Sequence, residues 1–219
     1  TMALSTNRFL IGNKGTGTLS VSGGGFTVTG NTDVVIGGDQ QYALNNASGT
    51  VTVSGGTLSI SGTGSLILGR NQTQGGTTTG AKGVVNIDGG VFATARAITM
   101  DSGAAMGSGT VNFNGGVLRA LVSSTGFLAV TTANVLGGAV IDTNSFDVTI
   151  GQSLLNGGVG GLTKQGGGVL TLSASNAYAG STTVSGGTLK AGHVNAFSTS
   201  DITVASGATL DLNSLAVAN

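Results

Sequence analysis

Residues 161–192 read GLTKQGGGVLTLSASNAYAGSTTVSGGTLKAG. Three short runs, at 169–172, 182–184 and 188–190, alternate inward-capable residues with small polar ones, and glycine, serine and asparagine divide them. Period-two alternation bounded by turn formers predicts β-strands, with Leu170, Leu172, Thr182, Val184 and Leu189 facing inward. The half-motif SGGTL stands at 185–189 and again at 54–58, and SGGGF at 22–26 is a variant of it. A motif that recurs along a chain predicts a solenoid, in which each unit buries its apolar face only by stacking on the next.

Towards the N-terminus the repetition is plainer. RFLIG (8–12), DVVIG (33–37), SLILG (65–69) and the weaker AITM (97–100) are copies of one strand. Alternation places Phe9 and Ile11, Val34 and Ile36, Leu66 and Leu68, and Ile98 and Met100 inside. A second strand follows each copy: GTLSVSGG (17–24), GTVTVSGG (49–56), GVVNIDGG (83–90) and GTVNFNGG (109–116). Its inward residues are Leu19 and Val21, Val51 and Val53, Val85 and Ile87, and Val111 and Phe113. A third strand comes after each double glycine, with Phe26 and Val28, Leu58 and Ile60, Phe92 and Thr94, and Leu118 and Ala120 inward. The starting glycines are separated by 32, 34 and 26 residues, one solenoid turn of three strands each, with loops of unequal length. Glycine suits the corners because they need positive φ or close backbone approach. Beyond Leu121 the register is harder to follow. Residues 139–150 offer two strands, with Val140, Phe146, Val148 and Ile150 as apolar positions. The next G-x-x-x-V-S-G-G copy begins at Gly180, 71 residues after Gly109, which leaves room for two turns.

The stretch at 161–192 resembles the autotransporter-associated β-strand repeat of bacterial secreted and surface proteins. The residues that carry the resemblance are GLTK (161–164), G-x-L-T-L-S (168–173), N-x-Y-x-G (176–180) and T-T-V-x-x-G-T-L (182–189). IDTNSFDVTI (141–150) looks like the segment that commonly precedes this repeat, and SGATLDLN (206–213) like the strand that commonly follows it. The resemblance is specific over 139–213. It implies a right-handed parallel β-helix outside the cell, and it implies no fixed ligand and no catalytic residues. The expectation is therefore an all-β chain, a single β-solenoid over 1–219 with clear repeats at 8–120 and a family-like repeat at 139–213. About three strands per turn and roughly seven turns at ~4.8 Å each make a rod ~35 Å long.

Composition supports strands and excludes several functions. Glycine is 42 of 219 residues, without the period of collagen. Alternating Val, Leu, Ile and Phe answer the suspicion of disorder. Every acidic residue is Asp and lysine is sparse, so the usual surface of a helix is missing. Proline is absent, as suits a chain that is mostly ladder. The net charge is zero, with no basic block to meet nucleic acid. Without cysteine there are no disulfides and no thiolate zinc sites. No run of ~18 apolar residues exists to span a membrane as a helix. TMALSTNRFL is not a signal peptide, and LDLNSLAVAN stops mid-pattern. The chain reads as a segment of a longer protein whose targeting signal and anchor lie outside it.

No cofactor site is expected. The double glycines are not followed by Asp as in calcium-binding glycine repeats, and neither an EF-hand nor a phosphate loop occurs. A β-helix hydrolase needs converging carboxylates. Asp39 with Arg70 is the best catalytic pair on offer, while Asp142 and Asp147 suit turns. His193 is a lone loop histidine. Insertions concentrate at one corner, at 38–48 and 70–82, where the first copy is short (13–16). Loops on one face of a solenoid are common binding sites, so Gln40, Gln41, Tyr42, Arg70, Asn71 and Gln72 are the candidate partner-contact residues. Asn13, Asn71, Gln72 and the threonine run are candidates for hydrogen-bonded ladders. The leading expectation is a non-enzymatic extracellular bacterial rod, an autotransporter passenger or adhesin-like stalk that meets a host or cell-surface glycan or protein. The alternatives are a filament subunit that stacks on itself through open β-helix ends and a polysaccharide-active β-helix enzyme.

Overall fold

The computed structural model describes residues 8–38, 47–70, 80–100 and 107–216. Among these residues the chain is all β, with no helix. The strands are β1 (Arg8–Ile11), β2 (Thr16–Val28), β3 (Asp33–Gly38), β4 (Ser48–Ile60), β5 (Leu66–Arg70), β6 (Lys82–Ile87), β7 (Val91–Thr94), β8 (Ile98–Met100) and β9 (Ser108–Ala120). They continue with β10 (Leu128–Ala129), β11 (Thr132–Asp142), β12 (Val148–Ile150), β13 (Leu154–Asn156), β14 (Leu162–Gln165), β15 (Val169–Leu172), β16 (Thr182–Val184), β17 (Thr188–Ala191), β18 (Ile202–Val204) and β19 (Thr209–Asp211).

Every pairing between these strands is parallel. Parallel neighbours cannot be joined by a tight hairpin, so the chain must travel away and return between them. Here it travels through another sheet. One sheet stacks β1-β3-β5-β8-β10, a second stacks β12-β15-β17-β19, and the ten-stranded sheet runs β2-β4-β6-β9-β11-β14-β16-β18 with β7 and β13 beside that path. The two smaller sheets adjoin through a parallel bridge between Ser124 and Val148, and Phe127 N donates to Thr149 O at 3.0 Å. The long strands β2, β4 and β9 carry two inward stretches each, separated by their double glycines.

The registers match the copies found by alignment of the sequence with itself. Gly17 pairs Gly49, which pairs Gly83, which pairs Gly109. The expected inward residues fill the interior: Val34, Ile36, Leu66, Leu68, Val51, Val53, Val85, Ile87, Val111 and Phe113 are all buried. Thr94 is buried among them, with its hydroxyl donating to Arg96 O at 3.0 Å. At the first level Phe9, Leu19 and Phe26 are only partly buried, and the rings of Phe9 and Phe26 lie 5.7 Å apart. Met100 is half-buried.

Two of the four apolar positions named at 139–150 do not fill the interior. Val140 faces outward, while Ala139 and Ile141 are fully buried. The register of β11 against β9 shifts on both sides of Gly138, and that irregularity moves the alternation by one residue. Phe146 is only half-buried, because it follows Asn144 and Ser145, both at positive φ in a turn. The copy at Gly180 does not continue the column of Gly109. Val184 pairs with Lys164, Lys164 with Ile141, and Ile141 with Leu118, which is the column of Leu58. The same V-S-G-G-T-L motif therefore turns one corner at 53–58 and the next corner at 184–189. Its local geometry is unchanged, since Gly56 has φ 65° and Gly187 φ 63°. Between β9 and β16 lie β11 and β14, which fill the 71-residue interval.

Candidate functional site

The candidate contact residues divide. Gln40, Gln41, Tyr42, Asn71 and Gln72 lie outside the described residues, as does Asp39. Arg70 closes β5 and is buried, with Nη1 3.6 Å from Asp33 Oδ2. Asp33 also accepts from Ser65 N at 2.8 Å. Arg70 thus lies buried beside Asp33 of the neighbouring strand, at ion-pair distance and without a hydrogen bond from Nη1. The stretches 39–46, 71–79 and 101–106 follow β3, β5 and β8 and precede β4, β6 and β9, so all three insertions leave from the same corner. At the first level that corner is only the few residues between β1 and β2.

A polar ladder stands on the outward side of the ten-stranded sheet. Asn86 Nδ2 donates to Thr52 Oγ1 at 3.2 Å, Asn112 Nδ2 to Asn86 Oδ1 at 2.8 Å, and Asn134 Nδ2 to Asn112 Oδ1 at 2.9 Å. The partners are 34, 26 and 22 residues apart, one circuit at each step. The ladder forms because parallel in-register pairing sets like positions one interstrand spacing apart, within reach of an amide. It does not involve the residues proposed for ladders: Asn13 is in the turn after β1, and Asn71 and Gln72 are not described. The readable signal was the matching place of Thr52, Asn86 and Asn112 in three copies of the second strand.

Inside, three polar groups are held by backbone. Arg96 is buried, and its Nη1 donates to Thr32 O (2.5 Å) and Ser65 O (3.3 Å) while Nη2 donates to Gly30 O (2.9 Å) and Ser61 O (2.6 Å). Four carbonyls from two neighbouring levels thus converge on one guanidinium. Burial lowers its pKa and the charge of Asp33 opposes that. Lys164 is 0 % exposed and donates to Gln165 O (3.2 Å), Gly166 O (2.8 Å) and Gly186 O (2.9 Å). Burial lowers its pKa to about 8, against the nearby charge of Asp142. Asn176 accepts from Leu154 N at 2.8 Å and donates to Ala196 O at 2.5 Å, replacing a strand pairing with side-chain bonds. Tyr178 is fully buried, with its hydroxyl 2.7 Å from Thr182 Oγ1. Burial raises its pKa, opposed by bonds to Thr182 and Ser198.

The remaining titratable candidates sit in turns. Asp142 pairs with Arg119 at 2.7 Å and accepts from Asn144 N at 2.8 Å. Asp147 accepts from Val169 N at 2.9 Å, and His193 Nδ1 from Asn195 N at 2.9 Å. Among the described residues no group of three or more His, Asp or Glu comes together to hold a metal ion. No helix among them is long and apolar enough to cross a membrane.

These features define a parallel all-β repeat protein whose charged groups serve mainly to join one level to the next. The family model of the passenger-associated-transport-repeat matches residues 43–60 and 162–191, in agreement with the resemblance to the autotransporter-associated repeat read from the sequence. The second match holds β14, β15, β16 and β17, with Lys164, Asn176 and Tyr178 among its buried groups. No curated protein and no solved structure matches the chain.

Proposed function

We propose that the chain is a non-enzymatic structural rod, a right-handed parallel β-helix of three strands per turn within an autotransporter-like passenger on or outside a bacterial cell. One observation carries this reading. Parallel in-register pairing runs through the described chain from β1 to β19, and the passenger-associated repeat lies within it. A stack of this kind resists bending through ladders and apolar columns, and it needs neither disulfides nor metal. Its outward surface and its single corner of insertions are the surfaces it offers for attachment.

The test is export. The chain is fused upstream of an autotransporter translocation barrel, and intact cells are treated with protease. A folded passenger at the surface is released as a resistant fragment near full length, visible as a short rod by electron microscopy. Material that stays inside the cell, or that is digested to small peptides at the surface, overturns the proposal.

A further inference from the structure

We propose that a recess at the corner between the ten-stranded sheet and the β1-β3-β5-β8-β10 sheet binds one sugar-acid residue, with Arg96 as the partner of its carboxylate and threonine hydroxyls as partners of its ring. This is a different corner from that of the insertions, so the inference goes beyond the attachment surfaces named above. The recess follows from turn length. Turns 61–65, 95–97 and 121–127 join the ends of β4, β7 and β9 to the starts of β5, β8 and β10. They span the same two columns. Ile60 pairs Thr94 and Thr94 pairs Ala120 on one side, while Leu66 pairs Ile98 and Ile98 pairs Leu128 on the other. The middle turn is the shortest, so it lies back between its neighbours and leaves a cavity of about 640 Å³, within the ~300–1,000 Å³ of small-molecule sites.

Three features select the ligand. The first is charge. Arg96 lines the recess, and no acidic residue lines it. A guanidinium has five N–H donors and does not shed its proton. The carbonyls of Gly30, Thr32, Ser61 and Ser65 take the terminal N–H groups, but Nε is buried with no acceptor. Nε is the guanidinium nitrogen nearest the backbone, and that backbone is the short turn at the floor of the recess. The carboxylate whose charge reaches Arg96 is Asp33, which also lies 3.6 Å from Arg70 and is thus shared between two cations. A buried charge is costly until it is paired, so the site favours an anion. The second feature is size. The recess is far wider than a bare inorganic anion, so the charged group must be carried on a larger body. The third is the wall. Thr63 gives its hydroxyl proton to Asn31 Oδ1, and Thr99 gives its own to Leu66 O at 3.1 Å. Both keep lone pairs to accept from ligand hydroxyls. Ala95, Ala97 and the exposed Val122 supply an apolar side for the C–H face of a pyranose. Hydroxyls, an apolar face and a carboxylate on one ring describe a uronic acid.

The experiment titrates the isotope-labelled chain with D-galacturonate and follows the Nε–H resonance of Arg96 by NMR, assigned by its absence from Arg96→Lys. Galacturonate is expected to move that resonance downfield in a saturable manner. It should bind about tenfold or more tighter than D-galactose, which lacks the carboxylate, and than acetate, which lacks the ring. Val122→Asp sets a like charge at the rim and should weaken galacturonate by about tenfold or more. Val122→Asn has the same shape without the charge and should weaken it distinctly less. Circular dichroism and melting establish that each variant is folded, and the comparison of ligands on the parent chain decides the matter if one is not. A resonance that does not move, equal affinity for galactose or for acetate, or equal loss in the two Val122 variants overturns the proposal. Each of these results leaves the rod reading intact, and a failure of surface export leaves the binding result intact.

Discussion

Lys164 shows how a charge is tolerated in an apolar column. It stacks between Ile141 and Val184, positions where an aliphatic side chain would pack. Its ammonium instead finds Gln165, Gly166 and Gly186 carbonyls at the corner. Lys164→Met keeps most of the volume but leaves those carbonyls without their donor, and should cost about 1–3 kcal/mol. The pH dependence has a definite sign. Burial lowers the folded pKa to about 8 from 10.5, so between these values the unfolded chain binds more protons than the folded one. Stability contributed by this group therefore rises with pH across that window and is constant below it. The gap in urea midpoint between the parent and Lys164→Met should thus be wider at pH 10 than at pH 7. A gap independent of pH would mean that the folded ammonium is not penalised by burial.

Glycine at a corner has two separable reasons, and two corners separate them. Gly24 and Gly187 have φ of 65° and 63°, so alanine suffers the same left-handed strain at both. A Cβ at Gly24 meets nothing within 4 Å, but at Gly187 it would lie 2.4 Å from Gly168 O. Gly24→Ala should cost about 1–2 kcal/mol from conformation alone. Gly187→Ala should cost distinctly more, because the stacked backbone must also separate; urea titration of both variants checks the difference. The strands themselves were legible in the sequence, since alternation and fixed glycine offsets gave their positions and most inward residues. The lost register after Leu121 has a local cause. Gly138 shifts the pairing by one residue, so Ala139-Val140-Ile141 reads in the wrong phase. The reuse of V-S-G-G-T-L at a different corner was hidden for another reason: a turn motif specifies local geometry and not the wall that it joins. Arg96 and Lys164 were missed as buried groups because charge normally marks the surface, although alternation after Leu162 already pointed Lys164 inward.

At the scale of the molecule, the circuit shortens after its second turn, having been 32 residues from Ser20 to Thr52. It is 34 residues from Thr52 to Asn86, 26 from Asn86 to Asn112, 22 from Asn112 to Asn134, and 20 from Asn176 to Ala196. The excess in the early circuits includes the insertions after β3, β5 and β8. The first level shows that the corner closes without such an insertion, and its geometry is transferable: Gly12 has φ 74° and Gly37 φ 77°, and Ile11 pairs Ile36 while Thr16 pairs Ser48. Replacing residues 38–47 with Asn-Lys-Gly, the sequence at 13–15, should therefore preserve the fold. The cost of shortening a loop is small, since closure entropy changes by only about 0.6 kcal/mol per doubling of length. Loss of the strand pair between Gly38 and Arg70 adds to it. The expected result is a melting point within a few degrees of the parent. Removal of Tyr42 and its neighbours then isolates what the corner contributes to attachment. Binding to host-cell or glycan surfaces should fall if the corner is the adhesive surface. If binding to such surfaces survives in a chain that still folds, the insertions are solvated loops and attachment resides on the walls of the rod.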